Sequence, residues 1–165
     1  GLLELSRSTR GELNRERTDL SIFATRIRSE LEQAEPDRRV AWAIESGILV
    51  TGDRDMLEVV LRNLLGNAWK YSSATPEPRI RLYAEARGSR HYFCVADNGA
   101  GFDMRHSDKL YQPFQRLHRQ DEFPGIGIGL ALARRIVERH GGSIRAAGAP
   151  GKGCCISLTL PRFPI

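Results

Sequence analysis

The chain has 165 residues, of which 41% are hydrophobic and 27% are charged, as is typical of one soluble globular domain with a sizeable core. It has no apolar run near the ~20 residues that span a bilayer and no signal peptide, and its three cysteines lack metal-binding spacing, so we expect a cytoplasmic piece, whether or not the full-length protein is membrane-attached. The net charge of +5 comes mostly from arginines scattered among acidic residues, which disfavours a nucleic-acid partner.

The first fifty residues are predicted to hold the end of one helix, a second helix and two extended pieces. Residues 1–16 carry leucines at loosely helical spacing, which indicates the last turns of a longer helix. Asp19 is a candidate N-cap for a helix from Leu20 to about Ala34, and Pro36 ends that helix. Residues 39–50 are predicted to form two extended pieces around a turn.

A central helix is predicted over residues 53–71, with Asp53 as its N-cap and an apolar stripe facing the core. Beside that stripe, Asn63, Asn67 and Lys70 fall within roughly 60° of one another. Amide oxygens can ligate Mg²⁺ without adding charge, and amide NH₂ groups and lysine can meet phosphate oxygens. The alternative is an ordinary solvated polar face.

The second half of the chain alternates strands, a weakly patterned segment and one more helix. In chain order, we predict a hairpin of strands 79–87 and 90–96, a mobile lid over 102–124 with a short helix near 109–117, a helix from Leu130 to His140, and two last strands, 143–147 and 154–160. About three helices with five or six strands indicate an α+β sandwich.

Two glycine-rich stretches follow or precede these elements. Asp97 ends a strand, and a carboxylate there can accept a hydrogen bond from an exocyclic amine such as N6 of adenine. The glycines after it let a flat ligand approach the backbone, although a plain Asx turn would use the same residues. The GxGxG run at 125–129 precedes a helix, whose N-terminal N–H groups can bind phosphates. That run alone is a weak signal, and it lacks the context of a Rossmann fingerprint or a P-loop.

The order of these features resembles the ATP-binding domain of sensor histidine kinases, which belongs to a larger group with DNA gyrase, MutL and the ninety-kilodalton heat-shock chaperone. The N box, first glycine box, F box and second glycine box of that family are matched by NLLGNAWKYS, DNGAGFD, LYQPFQRLH and GIGIGLALARRIVERHGG. The sequence LYQPFQRLH followed by DEFPG is similar to phytochrome-like and PAS-linked kinases. The resemblance covers roughly residues 19–161 and implies a two-layer α/β sandwich of the Bergerat type. Its mixed, mostly antiparallel sheet of about five strands would be covered on one face by three helices.

The resemblance also implies a role for each residue singled out above. Asn67 would ligate Mg²⁺, with Asn63 beside it on the phosphates or the metal. The other implied contacts are Lys70 and Arg116 facing phosphates, Tyr71 lining the adenine pocket, Asp97 accepting from adenine N6, and Gly99 and Gly101 leaving room for the base. Gly125, Gly127 and Gly129 would carry the phosphate loop and hinge the lid, and Leu130 would also belong to the nucleotide-binding residues. Asn63, Lys70 and Arg116 would be the catalytic residues. Asn63 stands where hydrolysing relatives have a glutamate that activates water, so the γ-phosphoryl would be kept for another nucleophile.

Two departures and one absence qualify these implications. Ile126 stands where the family has Thr or Ser, Tyr111 replaces a phenylalanine, and no histidine here has a phosphoacceptor context. The implied activity is that of a protein histidine kinase whose acceptor lies on a separate dimerisation domain, with residues 1–16 as the end of that domain and 17–165 as the catalytic one. The enzyme would then supply the phosphoryl group to a response regulator. We expect the full-length protein to be a homodimer and this fragment to be a monomer. The alternatives are a nucleotide-binding switch without transfer, which Ile126 makes credible, and a related kinase with a Ser acceptor.

Overall fold

A computed structural model of the chain describes residues 13–87, 90–101 and 129–160. Within these ranges three helices cover one face of a five-stranded sheet, so the predicted two-layer α/β sandwich is confirmed. The helices are α1 (Leu20–Ala34), α2 (Arg54–Tyr71) and α3 (Gly129–Arg139). The strands are β1 (Arg15–Asp19), β2 (Ala41–Ile44), β3 (Leu49–Asp53), β4 (Arg79–Arg87), β5 (Arg90–Asp97), β6 (Ser143–Gly148) and β7 (Cys154–Thr159). None of the helices in these ranges has both the length and the apolar character that crossing a membrane requires.

The main sheet has the strand order β2-β4-β5-β7-β6. The strand β2 pairs with β4 in parallel and the other neighbours pair antiparallel, which gives the mixed, mostly antiparallel sheet that the family resemblance implies. The predicted hairpin is confirmed, since β4 and β5 pair from Ile80 opposite Asp97 to Arg87 opposite Arg90. Because β5 lies in the middle of the sheet, Asp97 at its end has a strand on either side.

The hydrophobic core fills the space between the helices and the sheet. The stripe predicted for α2 is buried throughout, with Leu64 only 1% and Ala68 only 2% exposed. It packs in one cluster with Leu82 of β4 and Ile136 of α3. Full burial of a leucine or isoleucine side chain is worth about 1.5–3 kcal/mol, so this packing fixes α2 and α3 on the sheet.

The helix ends agree with the sequence analysis to within one residue. Asp19 caps α1 by accepting from two N–H groups of its first turn, and Asp53 caps α2 in the same way with one N–H group. The helix α3 runs from Gly129 to Arg139, one residue earlier than predicted at each end. Gly141 follows with a φ of +81°, and its N–H donates to the carbonyl of Glu138, as a C-cap glycine does.

The strand β1 corrects the prediction for the start of the chain. Arg15 and Glu16, which the leucine spacing placed at the end of a helix, pair instead with Asp53 and Gly52 of β3. The segment RERTD is exposed at its first three positions and shows no apolar alternation, so only its distant partner makes it a strand. Residues 1–12 lie outside the described part of the chain.

Candidate functional site

Asp97 lies at the end of β5, directly opposite Cys154 at the start of β7. Its carboxylate Oδ1 accepts from the N–H of Gly99 at 2.8 Å, so the Asx turn considered above is present. Burial raises the pKa of Asp97 to about 6, although the N–H groups of Gly99 and Cys154 act in the opposite direction. The end of this central strand therefore holds a carboxylate whose charged form is disfavoured, and groups with such shifted pKa values are concentrated at binding sites.

The turn after Asp97 is packed against the end of α2. The N–H of Ala100 donates to the carbonyl of Tyr71 at 2.9 Å, and a Cβ at Gly99 would collide with that same carbonyl. Gly101 has a φ of +67°, and a Cβ there would meet the carbonyl of Ala149. The protein's own backbone thus requires both glycines, and the turn that follows Asp97 is held against the backbone of Tyr71.

The turn before β7 forms another wall of the site, which the sequence analysis missed. Gly153 has a φ of +89°, and a Cβ there would meet the carbonyl of Asp97. The N–H of Cys154 faces the Asp97 carboxylate, and burial raises the pKa of the Cys154 thiol to about 12, so the thiol stays protonated. The GKG sequence signals a turn, but only the strand order shows that the turn meets Asp97.

The polar face predicted on α2 lies within one helix, as expected. Asn63 and Asn67 are half-buried, and Lys70 in the last turn is exposed. The Nδ2 group of Asn63 is buried and has no hydrogen-bond partner among the described residues. An unsatisfied buried donor costs about 1–3 kcal/mol, so Asn63 suits an acceptor supplied from outside the chain. A phosphate oxygen is such an acceptor.

The start of α3 lies level with this polar face along the two packed helices. At the far end of α3, Nε2 of His140 accepts from the N–H of Asp53 at 2.9 Å, so the C-terminus of α3 meets the N-terminus of α2. Gly129 lies eleven residues before His140, or about 16 Å along the helix. That distance brings the N-terminus of α3 level with the turn of α2 between Asn63 and Asn67. A helix N-terminus favours negative charge, so the start of α3 and the amides of α2 can both contribute to binding one anionic group.

The described residues therefore form two neighbouring parts of one candidate site. One part contains Asp97 with the backbone of Tyr71 and the glycine turns, and the other contains the α2 amides with the start of α3. The side chain of Leu130 lies in the hydrophobic core, 7% exposed. Outside the described residues lie the predicted lid with its short helix, Tyr111, Arg116, Gly125, Ile126 and Gly127.

The part of the chain that the structure describes contains no metal centre built from carboxylates or thiolates. Among residues 13–87, 90–101 and 129–160, no group of three or more His, Cys, Asp or Glu side chains could hold a metal ion. A hard cation bound here would depend on amide oxygens together with oxygens of a ligand.

Comparison with known proteins decides the family. Residues 52–164 match the family model described as histidine kinase-, DNA gyrase B-, and HSP90-like ATPase. The chain belongs to this family. Within it, the chain is similar to the Escherichia coli sensor protein KdpD, with 34% identity over 98% of this chain and 18% of KdpD. It is also similar to the Synechocystis phytochrome-like protein Cph1, with 30% identity over 87% of this chain and 19% of Cph1.

A solved structure agrees with these sequence relatives. Full-length ShkA superimposes with a TM-score of 0.76 at 25% identity, over 97% of this chain and 34% of that one. The chain thus spans about a fifth of the length of the two curated relatives named above, and the part it matches is the catalytic ATPase module of histidine kinases. The resemblance to sensor histidine kinases that the sequence boxes indicate is confirmed.

Proposed function

We propose that the chain binds Mg²⁺·ATP and passes the γ-phosphoryl group to a histidine on a separate dimerisation domain, which then supplies a response regulator. One observation carries this proposal: the turn that follows the disfavoured carboxylate of Asp97 packs against the C-terminal end of α2, and the orphaned amide of Asn63 lies about two turns earlier on the same helix. ATP offers a donor to the first and acceptors to the second. The ShkA structure, a complex with AMPPNP, supports the same choice of ligand.

The adenine base would be recognised at the end of β5. The carboxylate of Asp97 accepts a hydrogen bond from N6 of adenine, and guanine, which carries an oxygen at that position, would meet two acceptors face to face. Tyr71 lines the pocket, Gly99 lets the adjoining turn pack close to the end of α2, and Gly101 lets it pack against Ala149. Polar mismatch of this kind gives strong discrimination because the buried group is left unpaired.

The phosphates would lie between α2 and the start of α3. Asn63 donates its unpaired NH₂ group to a phosphate oxygen, Asn67 offers its amide oxygen to Mg²⁺, and Lys70 reaches the phosphates from the last turn of α2. Bound Mg²⁺ would neutralise charge on the phosphate oxygens. Gly129 begins the helix whose N-terminus faces them. Arg116, Gly125, Gly127 and Leu130 complete the set that the family resemblance assigns to catalysis and to the phosphate loop.

Asn63 also determines which nucleophile can attack. An amide does not take up a proton near neutral pH, so Asn63 cannot act as a general base toward water. Hydrolysis is then slow, and the γ-phosphoryl remains available to an imidazole that needs no such base. Positioning and charge neutralisation are sufficient for this kind of transfer.

The test is to mix the chain with a separately produced phosphoacceptor domain and labelled Mg²⁺·ATP. We expect an acid-labile phosphohistidine on the acceptor, and its loss in the Asp97→Asn variant. ATP binding without any labelled acceptor would favour the switch module, and an acid-stable phosphoserine would favour the Ser kinase. A chain that binds no ATP at all would contradict all three.

A further inference from the structure

The end of the molecule remote from the proposed nucleotide site contains a chain of hydrogen bonds centred on one residue. Oδ2 of Asp53 accepts from the N–H of Asn14 at 3.0 Å, and Oδ1 accepts from the N–H of Met56 at 3.1 Å. The N–H of Asp53 donates to Nε2 of His140 at 2.9 Å. Asp53 thus joins the segment that leads into β1, the start of α2 and the end of α3.

The bonds of His140 fix its protonation. Its Nδ1 lies 2.8 Å from the carbonyl of Ile136, which can only accept, so Nδ1 carries the proton and Nε2 is free to accept from Asp53. The side chain is only 1% exposed, and burial lowers the pKa of the imidazole. A neutral imidazole with one defined tautomer therefore connects the two helices.

The packing around this bond leaves little freedom. A Cβ at Gly52 would lie 2.9 Å from Cδ2 and Nε2 of His140 and 2.7 Å from Cδ1 of Leu57. The backbone of β3 therefore approaches the imidazole as closely as glycine allows. Both helices are also held by the core, and the hydrogen bond fixes the end of α3 to the start of α2.

We propose that Asn14, Asp53 and His140 form a relay that couples the segment leading into β1 to the nucleotide site, with Asp53 and His140 as positioning residues. The relay acts through register: α3 is tied to α2 at one end, and at the other end its N-terminus lies level with the part of α2 that carries Asn63 and Asn67. Sliding α3 by one residue moves that N-terminus by about 1.5 Å along α2. Displacements of about 1 Å in a catalytic site reduce rates by as much as a hundredfold.

The inference depends on the proposed function, because a register has consequences only if the two helices bind one ligand together. It adds that the segment before β1 controls the nucleotide site. A displacement of the segment ending at Asn14 changes the partner of Oδ2, the capping geometry of Asp53 and then the bond to His140. A domain joined ahead of β1 can thereby alter nucleotide affinity without touching the nucleotide.

Two matched pairs of variants test the relay in the full chain. A glutamine at position 140 can place an amide oxygen where Nε2 lies and keep the bond to Asp53, whereas the shorter asparagine reproduces only the Nδ1 position. At position 14, proline removes the N–H that Asp53 accepts, whereas alanine keeps it. The dissociation constant for Mg²⁺·ATP is measured well below the melting temperature of each variant, with circular dichroism as the check on folding.

We expect His140→Asn and Asn14→Pro to weaken Mg²⁺·ATP binding by roughly 3-fold to 30-fold, and His140→Gln and Asn14→Ala to stay within about 2-fold of the parent chain. If the His140→Asn chain does not fold, the comparison of Asn14→Pro with Asn14→Ala tests the relay by itself. Folded His140→Asn or Asn14→Pro chains with unchanged affinity would overturn the relay, and so would equal losses within each pair. A parent chain that binds no Mg²⁺·ATP would instead contradict the proposed function.

Discussion

The two ends of α2 treat buried polar groups in opposite ways. At its first end Asp53, 9% exposed, has both carboxylate oxygens and its N–H in hydrogen bonds, to the helix backbone, Asn14 and His140. Toward the other end, Asn63 keeps a buried NH₂ group that has no partner among the described residues. Beside that end, Asp97 carries a carboxylate whose pKa burial raises to about 6.

This difference separates polar groups that are paired within the protein from polar groups that remain available to a ligand. The satisfied end stabilises the fold and offers nothing to a ligand. The other end keeps a donor without an acceptor and a carboxylate without sufficient compensation, both of which cost stability. One ligand with an amine at one end and phosphates at the other would relieve both costs. Local violations of good packing chemistry are expected at functional sites.

The largest expected effect comes from Asp97→Asn. We expect Mg²⁺·ATP affinity to fall roughly a hundredfold, because the amide can turn a donor toward the donating N6 group. The same variant should raise the free energy of unfolding at pH 8, where the parent chain must bury a charge. Calorimetry and urea denaturation measure the two quantities. An Asp97→Asn chain that is less stable and binds ATP normally would show that Asp97 stabilises the fold and does not bind the nucleotide.

The satisfied end is tested by Asp53→Ala, which should lower the free energy of unfolding by about 2–3 kcal/mol. The change removes a helix cap and leaves the N–H of Asn14 without its acceptor. Asp19→Ala removes only the cap of α1 and should cost about 1 kcal/mol. Urea denaturation of both variants gives the comparison, and equal losses would show that Asp53 acts as a cap alone.

The pH dependence of stability should have opposite signs at the two ends. Burial lowers the pKa of His140 below its usual 6.5, so the unfolded chain takes up that proton first and stability falls as the pH drops below 6.5. The raised pKa of Asp97 makes the folded chain take up its proton first, so stability rises as the pH falls from about 6 toward 3.8.

Variants separate these opposing contributions. We expect His140→Gln to be less sensitive to acid than the parent chain, and Asp97→Asn to be more sensitive. The measurement is the free energy of unfolding at pH 5 compared with pH 8. If both variants change their acid sensitivity in the same direction, the two ends do not differ as described.

The smallest effect is expected at Asn63. Replacing it with alanine removes the unpaired buried donor and improves helix propensity, so stability should rise by up to about 1 kcal/mol while Mg²⁺·ATP binding weakens. Asn67→Ala should raise the stability by less, because it improves helix propensity without removing an unpaired buried donor. Thermal melts with and without Mg²⁺·ATP measure both effects, and a destabilised Asn63→Ala chain would mean that the amide has a structural partner.

The sequence predicts what depends on near neighbours. The caps at Asp19 and Asp53 and the apolar stripe of α2 follow from residues within a few turns, and the structure confirms them. The contact of Cys154 with Asp97 depends on the strand order, and the bond from Asp53 to His140 joins residues 87 positions apart. The strand β1 consists of polar residues whose pairing comes from β3, so no local pattern signals it.

Calorimetric titration of the chain with Mg²⁺·ATP and with Mg²⁺·GTP at pH 8, where Asp97 is ionised, tests the central claim most directly. We predict one molecule of ATP bound per chain, and GTP bound at least tenfold more weakly because its O6 faces the Asp97 carboxylate. No binding of ATP, or equal affinity for the two nucleotides, would contradict the claim that Asp97 selects adenine.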